Sequence, residues 1–262
     1  MNKKPLVSIV TPSYNQGEFL EDTIRSVLEQ DYEHIEYIII DGNSDDNSLE
    51  IIKKYSNKLA YYVSEPDKGQ TEAINKGFAR ANGQVFAWLN SDDTLEPYAV
   101  SEAVEFLQAN PDIGMVYGDT NFIDQHGNNI GKFPTAQTNY KKLKQGYVHI
   151  PQQSSFWRAE LFHQVGPLDD NVYFAMDYDL WRRLAKVSEL KYHRRTWANF
   201  RLHAGAKTIA EDDRCWPEMV EIHKRDGGSA FSIIVAKYYL RKVLAPLVTW
   251  RRRRRVKQAA EK

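Results

Sequence analysis

The chain of 262 residues has little cysteine and no long apolar run. Its single cysteine, Cys215, excludes an intramolecular disulfide and fits a reducing compartment. No stretch approaches the ~18 apolar residues that a membrane-spanning helix needs, and the run LVSIV near the start is broken at once by TPSYNQG. We therefore expect neither a signal peptide nor a spanning helix, and a cytoplasmic protein that lies at the inner face of the cytoplasmic membrane.

Several common catalytic motifs are also missing. No GxGxxG follows the first predicted strand, which argues against a dinucleotide-binding enzyme, and the absence of GxxxxGK[ST] excludes a P-loop NTPase. There is no GxSxG turn, and Cys215 lies in a charged stretch rather than at a strand end. Hydrolases with a serine or cysteine nucleophile are therefore disfavoured.

The formal net charge of zero is divided unevenly along the chain. Residues 227–262 hold ten Lys and Arg and one acid, Glu261, so this segment carries +9 and the rest balances it. The segment mixes apolar residues with basic ones and contains Arg251–Arg255, a composition typical of contact with an anionic membrane. A helix packed on the domain and a nucleic-acid-binding tail are the alternatives. We favour the membrane and expect no nucleic-acid partner.

The first hundred residues alternate short apolar runs with amphipathic segments. The runs LVSIVT, IEYIIID, LAYYVS and VFAWL predict strands, and helices are predicted from Leu20, over Ser48–Tyr55 and over Gln70–Ala81. Because each run is apolar on both faces, we expect a doubly wound α/β sheet whose strands are mostly parallel. A fourth helix is predicted over Tyr98–Ala109.

The second half reads as α+β material that leans on this sheet. GMVYGD and TNFIDQHGNNIGKF predict a strand followed by a hairpin, with QHGNN as its turn. Over Gln152–Lys191 we expect one strand and two short helices. The predicted organisation is a domain of residues 1–226, divided into halves of residues 1–110 and 111–226, followed by a basic amphipathic tail over residues 227–262.

The carboxyl ends of the predicted strands are polar, and ligands bind at these ends in open parallel sheets. Asp41 ends the second strand, where a carboxylate accepts hydrogen bonds from a ribose or a base. Asp92 and Asp93 follow the fourth, where hard oxygens suit Mg²⁺ or Mn²⁺ held jointly with a diphosphate. The alternative is that these side chains only form turns and cap helices.

Three long segments, taken in order, resemble the family 2 glycosyltransferases with the GT-A fold. They are VSIVTPSYNQGEFLEDTIRSVLEQDYEHIEYIIIDGNSDDNS, DKGQTEAINKGFARANGQVFAWLNSDD and PQQSSFWRAELFHQVGPLDDNVYFAMDYDLWRRL. The resemblance covers roughly residues 5–205 and is specific as a combination. It implies a GT-A-like sheet with a nucleotide-binding half, an acceptor-binding half and a basic C-terminal helical tail.

The resemblance implies a role for each position that matches the family motifs. The matched nucleotide- and donor-binding positions are Thr11, Pro12, Tyr14, Asp41, Asp67, Lys68, Gln70, Asn75, Asn90, Ser91 and Asp93. Asn90, Ser91 and Asp92 align with the family's D-x-D triplet, so Asp92 is the implied metal ligand, while Asn90 stands where the first acid would be. Asp93 is expected to face the donor sugar, and His203 to reach the metal or the diphosphate.

Asp177 aligns with the family's catalytic base, preceded by Met176 where the family often has Glu. The chemistry agrees, because an acceptor hydroxyl must lose its proton as it attacks the anomeric carbon, and a nearby carboxylate can take it. The alternative is a simple cap of the following helix. We expect Asp179 to be structural, and the tryptophans to belong to the core.

The implied function is an inverting, metal-dependent hexosyltransferase that moves one sugar from a nucleotide-diphosphate sugar to a hydroxyl. UDP follows from the family's habits, and the acceptor would be a glycan or a lipid-linked molecule in surface-polysaccharide or lipopolysaccharide synthesis. Processive relatives carry QxxRW and spanning helices, whereas this chain has QSSFWR. The rival functions are a sugar-nucleotidyltransferase, which needs a basic glycine-rich loop that TPSYNQGEF lacks, and a non-catalytic binding protein of the same fold.

Overall fold

Four parallel strands form the first part of the sheet in a computed structural model that describes residues 4–207 and 212–244. They stand in the order β3-β2-β1-β4, with bounds β1 (Val7–Ser13), β2 (Ile35–Asp41), β3 (Tyr61–Ser64) and β4 (Val85–Trp88). The helices between them are α1 (Leu20–Leu28), α2 (Ser48–Lys54), a 3-10 turn at Ser56–Lys58, and α3 (Gln70–Phe78). The predicted parallel, doubly wound half is confirmed.

The second half continues the same sheet, and it is mixed rather than mostly parallel. Its elements are β5 (Thr94–Leu95), α4 (Ala99–Ala109), β6 (Ile113–Ile123), β7 (Asn129–Lys132), α5 (Tyr140–Lys144), a 3-10 turn at Gln152–Ser154, β8 (Ser155–Arg158), α6 (Ala159–Val165), α7 (Met176–Val187), β9 (Glu189–Arg201) and α8 (Asp212–Arg225). The order runs β4-β8-β6-β9-β5, with β7 on β6. Strand β8 is antiparallel to β4 and β6, and β9 is parallel to β6.

One prediction for this half was wrong in detail, and two of its strands were not predicted. GMVYGD and TNFI are one continuous strand, β6, which the hairpin then joins to β7. The strand β9 and the short β5 were not anticipated, because the many charged residues of β9 hide its alternation. Gly118 allows the close approach of β6 and β9, since a Cβ at this position would lie 2.7 Å from the ring of Trp197.

The sheet separates two apolar cores, and strand β1 contributes to both. Ile9 faces the core under α1 and α4, whereas Val10 faces the core under α3 and α7. In the second core, Trp88 stacks on Trp181 with ring centroids 5.9 Å apart, and Trp157 meets both edge-on. These fully buried tryptophans hold α7 against the end of β4, so they belong to the core, as expected.

The first part of the predicted tail packs on the domain. Residues 233–244 are helical, and Ile234 and Val235 are buried in the same core as α7. The predicted membrane contact at Arg251–Arg255 lies outside the described residues. Within the described ranges, no helix is long and apolar enough to cross a membrane.

Candidate active site

The ends of β1, β2 and β3 meet because their register is parallel and unbroken. Ser13 stands beside Asp41, and Asp41 beside Ser64. The buried carboxyl of Asp41 accepts hydrogen bonds from the Ser64 hydroxyl at 2.6 Å and from the Ser44 hydroxyl at 2.5 Å. The backbone N–H of Ser44 is a third donor, at 3.0 Å. A carboxylate held in this way is oriented before any ligand arrives.

The predicted positions after β1 differ in how far they reach the surface. The hydroxyl of Thr11 lies 3.0 Å from that of Tyr37, and both side chains are buried. Thr11 therefore lies beneath the rim, by which we mean the edge of the sheet at the carboxyl ends of its parallel strands and the loops that follow them. Pro12 is also buried. Tyr14 is 59% exposed, which leaves its ring available to a planar ligand. The neighbouring Ser13 hydroxyl is buried and has no hydrogen-bond partner among the described residues.

Asp67 stands directly over the backbone at Gly42. A Cβ added to Gly42 would lie 2.9 Å from Oδ2 of Asp67, so glycine makes room for this carboxylate. The N–H of Gly69 donates to Oδ1 of Asp67 at 2.8 Å. Burial raises the pKa of Asp67 above its ordinary value. The side chain of Lys68 is exposed, while its N–H donates to Glu72 at 3.0 Å.

The turn after β4 is built on Asn90. Its side-chain oxygen accepts from Nε2 of Gln70 at 2.8 Å, and its Nδ2 donates to Asp93 and to Gln152, each at 3.3 Å. The expectation that Asp93 faces the donor was wrong, since its carboxyl is fully buried and accepts from the N–H of Arg201 at 3.0 Å. Burial first, and Asp92 second, raise the pKa of Asp93 well above its ordinary value. Ser91 is buried in the same turn.

The turn sets Asp92 beside His203. Oδ2 of Asp92 lies 3.0 Å from Nε2 of His203, and the two side chains are 15% and 9% exposed. The antiparallel pairing of β5 with β9 brings the loop after β9 to this turn, and Nε of Arg201 donates to the carbonyl oxygen of Asp92 at 2.9 Å. Phe19 packs against the ring of His203, with centroids 4.6 Å apart.

The donor atoms of this pair suit a divalent cation. A carboxylate oxygen and an imidazole nitrogen are accepted ligands of Mn²⁺, and the carboxylate also suits Mg²⁺. Within the described residues no group of three or more His, Cys, Asp or Glu could hold a metal ion. The donor set of this pair fits such an ion, which would take further ligands from a bound substrate.

Asp177 lies in the first turn of α7. Just before it, the N–H groups of Phe174 and Ala175 donate to the Glu218 carboxylate of α8 at 2.7 and 2.8 Å, which fixes the start of the helix. The N–H of Tyr178 donates to Oδ1 of Asp177 at 2.7 Å. Burial raises the pKa of Asp177 to about 6. A carboxyl group with this pKa accepts a proton efficiently near neutral pH.

Lys207 joins the two sides of the rim, and sequence reasoning missed it. Its ammonium donates to the side chain of Gln70 at 3.1 Å and to the carbonyl of Tyr173 at 2.6 Å. It also lies close enough to Asp177 to oppose the rise of that pKa. Its position four residues after His203 is the only hint in the sequence, and that spacing carries no chemistry by itself.

Asn75, a predicted nucleotide-binding residue, bonds to the loop between α6 and α7. Its amide donates to the carbonyl of Leu168 at 2.9 Å and to Asp170 at 3.1 Å, and its oxygen accepts from the N–H of Leu168 at 3.0 Å. These bonds hold the loop between α6 and α7 against α3. Gln152, Gln153 and Arg201 were also missed; they fix the turn of Asn90 and Asp93.

Comparison with known proteins assigns this arrangement to a family. The model of the family described as "Glycosyl transferase family 2" matches residues 8–166, more than half of the chain. An uncharacterized glycosyltransferase of Mycobacterium tuberculosis is 32% identical over 192 residues, 72% of each chain. The chain belongs to glycosyl transferase family 2. The matched range contains Asp41, Asp67 and Asp92 and stops before Asp177 and His203.

Other relatives extend beyond the length of this chain. An uncharacterized glycosyltransferase of Rickettsia conorii is 30% identical over 219 residues, which cover 78% of this chain and only 36% of the relative. A putative teichuronic acid biosynthesis glycosyltransferase of Bacillus subtilis is 38% identical over 109 residues, 40% of this chain and 43% of the relative.

Solved structures confirm the GT-A fold. TarS of S. aureus in complex with UDP-GlcNAc has a TM-score of 0.71 at 14% identity, covering 92% of this chain and 73% of that one. A mannosyltransferase of Pyrobaculum calidifontis in complex with GDP-Man and Mn²⁺ has a TM-score of 0.67 at 18% identity, covering 91% and 70%.

Proposed function

We propose that this family 2 chain transfers one sugar from a nucleotide-diphosphate sugar to an acceptor hydroxyl, with inversion at the anomeric carbon. The observation that carries the proposal is a chain of hydrogen bonds. It runs from Lys207, which lies beside Asp177, to the turn that bears the candidate metal ligand Asp92. Lys207 bonds to Gln70, Gln70 bonds to Asn90, and Asn90 belongs to the turn that bears Asp92. The Asp177 carboxyl lies beside Lys207.

The nucleoside would lie over the ends of β1, β2 and β3. Asp41 has both oxygens oriented by serine donors, and Asp67 stands over Gly42 beside it, so both carboxylates suit hydrogen bonds from a base or a ribose. The exposed ring of Tyr14 would stack on the base. UDP is our proposed nucleotide, and it is supported by UDP-GlcNAc in the TarS complex.

A divalent cation, Mn²⁺ or Mg²⁺, would be held by Asp92 and His203 together with the diphosphate. When bound, such an ion acts as a Lewis acid that offsets the charge developing on the leaving diphosphate. The Mn²⁺ in the Pyrobaculum mannosyltransferase complex supports this assignment. Arg201, which bonds to the carbonyl of Asp92, would keep this carboxylate in place.

Asp177 would act as the catalytic base. The acceptor oxygen forms a bond to the anomeric carbon on the face opposite the diphosphate, and its proton passes to the Asp177 carboxylate. The bond from the anomeric carbon to the diphosphate oxygen breaks, and that oxygen keeps the electron pair. With a pKa of about 6, the carboxyl of Asp177 is mostly ionised at pH 7 and ready to accept the proton.

The acceptor would be a hydroxyl of a glycan or of a lipid-linked molecule used in cell-surface polysaccharide synthesis. The relative named for teichuronic acid biosynthesis supports this class. Membrane contact through Arg251–Arg255 at the inner face of the cytoplasmic membrane, and a role in lipopolysaccharide synthesis, stay predictions. A sugar-nucleotidyltransferase is disfavoured because the loop after β1 contains no Lys or Arg to hold a triphosphate.

Calorimetric titration with UDP, GDP, CDP and dTDP, each with and without Mn²⁺, tests the donor site. We expect one nucleotide to bind tightly, and this binding to require both Mn²⁺ and Asp92, so that it is lost in Asp92→Ala. The Asp177→Asn variant should bind that nucleotide normally. Absence of metal-dependent binding for all four nucleotides would contradict the proposed mechanism.

A second assay separates a transferase from a non-catalytic binding protein. The matching nucleotide sugars are incubated with cell-envelope acceptors, and release of the nucleoside diphosphate is measured. We expect release by the wild-type chain and its loss in Asp177→Asn. Normal nucleotide binding without any release would favour the non-catalytic alternative.

A further inference from the structure

The helix of residues 233–244 has two apolar faces. Its inner face carries Ile234 and Val235, which are buried, and Tyr238, which packs against the same core. At 3.6 residues per turn, the remaining apolar side chains fall together on the opposite side of the helix. These outward residues are all exposed: Ile233, Ala236, Tyr239, Leu240, Val243 and Leu244.

The inner contacts determine which face is turned outward. A Cβ at Gly146 would lie 3.1 Å from Ile234, so the helix rests directly on the backbone after α5. The ammonium of Lys237 donates to the carbonyl of Gln145 at 3.0 Å and lies over the ring of Tyr147, 3.1 Å from its centroid. Rotation of the helix to hide its outer face would break these contacts.

The outer face is strongly exposed for an apolar surface. Tyr239 is 60% exposed, Leu240 59% and Val243 74%, and the preceding Phe231 is fully exposed. A contiguous apolar surface of this kind marks a contact site, whereas isolated exposed residues do not. Six apolar residues on one helix face, with no polar residue between them, meet this criterion.

The charged residues of this segment are all of one sign. Residues 227–244 contain no Asp or Glu, and Lys237, Arg241 and Lys242 flank the apolar face. In the sequence, Arg251–Arg255 follow soon after. An apolar helix face bordered by basic side chains is complementary to the boundary between anionic headgroups and acyl chains.

We infer that the outward face of the helix of residues 233–244 docks into the surface of an anionic lipid bilayer. A second copy of the chain is a poorer occupant, because it would bring together two segments of +9 charge. A nucleic acid would use the basic residues but leave the apolar face in water. This inference is independent of the proposed sugar transfer.

The helix of residues 233–244 contacts α8, the helix that fixes the backbone just before Asp177. Arg241 lies over the ring of Trp216 in α8, with 5.7 Å between the guanidinium carbon and the ring centroid. Glu218, also in α8, holds the N–H groups before Asp177. A docked chain would therefore hold Asp177 in one orientation relative to the lipid surface.

Vesicle co-sedimentation of the full chain tests the inference directly. Phosphatidylcholine vesicles, with and without phosphatidylglycerol, are compared for the wild type and for the triple variant Tyr239→Gln, Leu240→Gln, Val243→Gln. We expect the wild type to bind the anionic vesicles. The triple variant should bind them about 1,000-fold more weakly, since each of the three buried apolar side chains contributes a factor of about ten.

The control is Ile130→Gln, which removes an equally exposed apolar residue from β7 and should bind vesicles as the wild type does. Unchanged thermal unfolding of the triple variant would show that it is folded. If it does not fold, Leu240→Trp replaces it: its added fluorescence should be quenched by brominated acyl chains. The inference would be overturned if a folded triple variant bound anionic vesicles as tightly as the wild type does, or if the tryptophan of Leu240→Trp were not quenched. If the wild type is a dimer and the triple variant is a monomer, the face would be assigned to contact with a second copy instead.

Discussion

Nε2 of His203 lies 3.0 Å from Oδ2 of Asp92, although the two residues are 111 positions apart in the chain. Nothing local in the sequence joins them. The pairing of β5 with β9 brings them together, and Arg201 holds the backbone between them. Because the two proposed ligands come from distant segments, loss of either one should weaken binding of the cation.

The first prediction concerns this pair. We expect His203→Ala to weaken Mn²⁺-dependent nucleotide binding at least as much as loss of an outer-shell partner does, about 10- to 100-fold. Binding measured without metal should change little, because only the metal-linked part of the affinity is lost. Calorimetric titration of the nucleotide with and without Mn²⁺ measures both quantities. His126→Ala, in the exposed turn between β6 and β7, is the control, and an equal loss in that variant would contradict a ligand role for His203.

A second prediction separates two acids in the first turn of α7. Asp177→Asn should lower turnover by about 10²- to 10⁴-fold because the proton acceptor is removed, while nucleotide affinity stays the same. Asp179 is buried and paired with Arg183 and Arg225, so Asp179→Asn should instead lower the free energy of unfolding by about 2 kcal/mol. Steady-state kinetics and urea unfolding of both variants provide the comparison. The assignment fails if Asp179→Asn abolishes turnover in a folded protein.

A third prediction follows from the raised pKa of Asp177, whose ordinary value is 3.8 and whose folded value is about 6. Between these values the folded state binds more protons than the unfolded state, so this carboxyl destabilises the fold increasingly as the pH rises from about 4 to 6. Asp177→Asn should therefore raise the free energy of unfolding at pH 7.5 more than at pH 4.5. Urea titrations at the two pH values measure the difference. An equal effect at both would mean that the pKa of Asp177 is not raised.

Lys207 carries a fourth prediction. Its ammonium opposes the rise in the pKa of Asp177, so Lys207→Met should move the acid limb of the kcat/KM profile to higher pH. Lys207→Arg keeps the charge and should restore the limb. Lys191→Met, which removes an exposed lysine paired with Glu189, should leave the profile unchanged. A uniform fall of kcat/KM without any shift of the limb would reduce Lys207 to a structural link between Gln70 and Tyr173.

The fifth prediction tests the carboxylate over Gly42. In Gly42→Ala the new methyl group would meet Asp67, whose side chain must turn away. If Asp67 contacts the nucleoside, affinity for the nucleotide should fall about tenfold, or about 1.4 kcal/mol, with little change in thermal stability. Asp67→Asn should produce a comparable loss, whereas Asp45→Asn, in the exposed loop nearby, should not. Normal binding in both Gly42→Ala and Asp67→Asn would remove Asp67 from the site.

Much of the parallel half of the sheet could be predicted from the sequence, because the rules that govern it are local. Buried parallel strands are apolar on both faces, so β1, β2 and β4 stand out as short apolar runs, and their ends indicate where Asp41 and Asp92 lie. The amphipathic spacing of α1 and α3 is equally local. The family resemblance added Asp177 and His203, which composition and periodicity do not reveal.

The sequence by itself therefore determined the family, the parallel half of the sheet and the acids at its rim. Tertiary structure alone decided the mixed sheet with β9 beside β6, the burial of Asp93, the use of Asn75 as a loop support and the link made by Lys207. It also decided which face of the helix of residues 233–244 is turned to solvent. The physical reason is that each of these features depends on contacts between segments far apart in the chain, whereas periodicity reports only the environment of neighbouring residues.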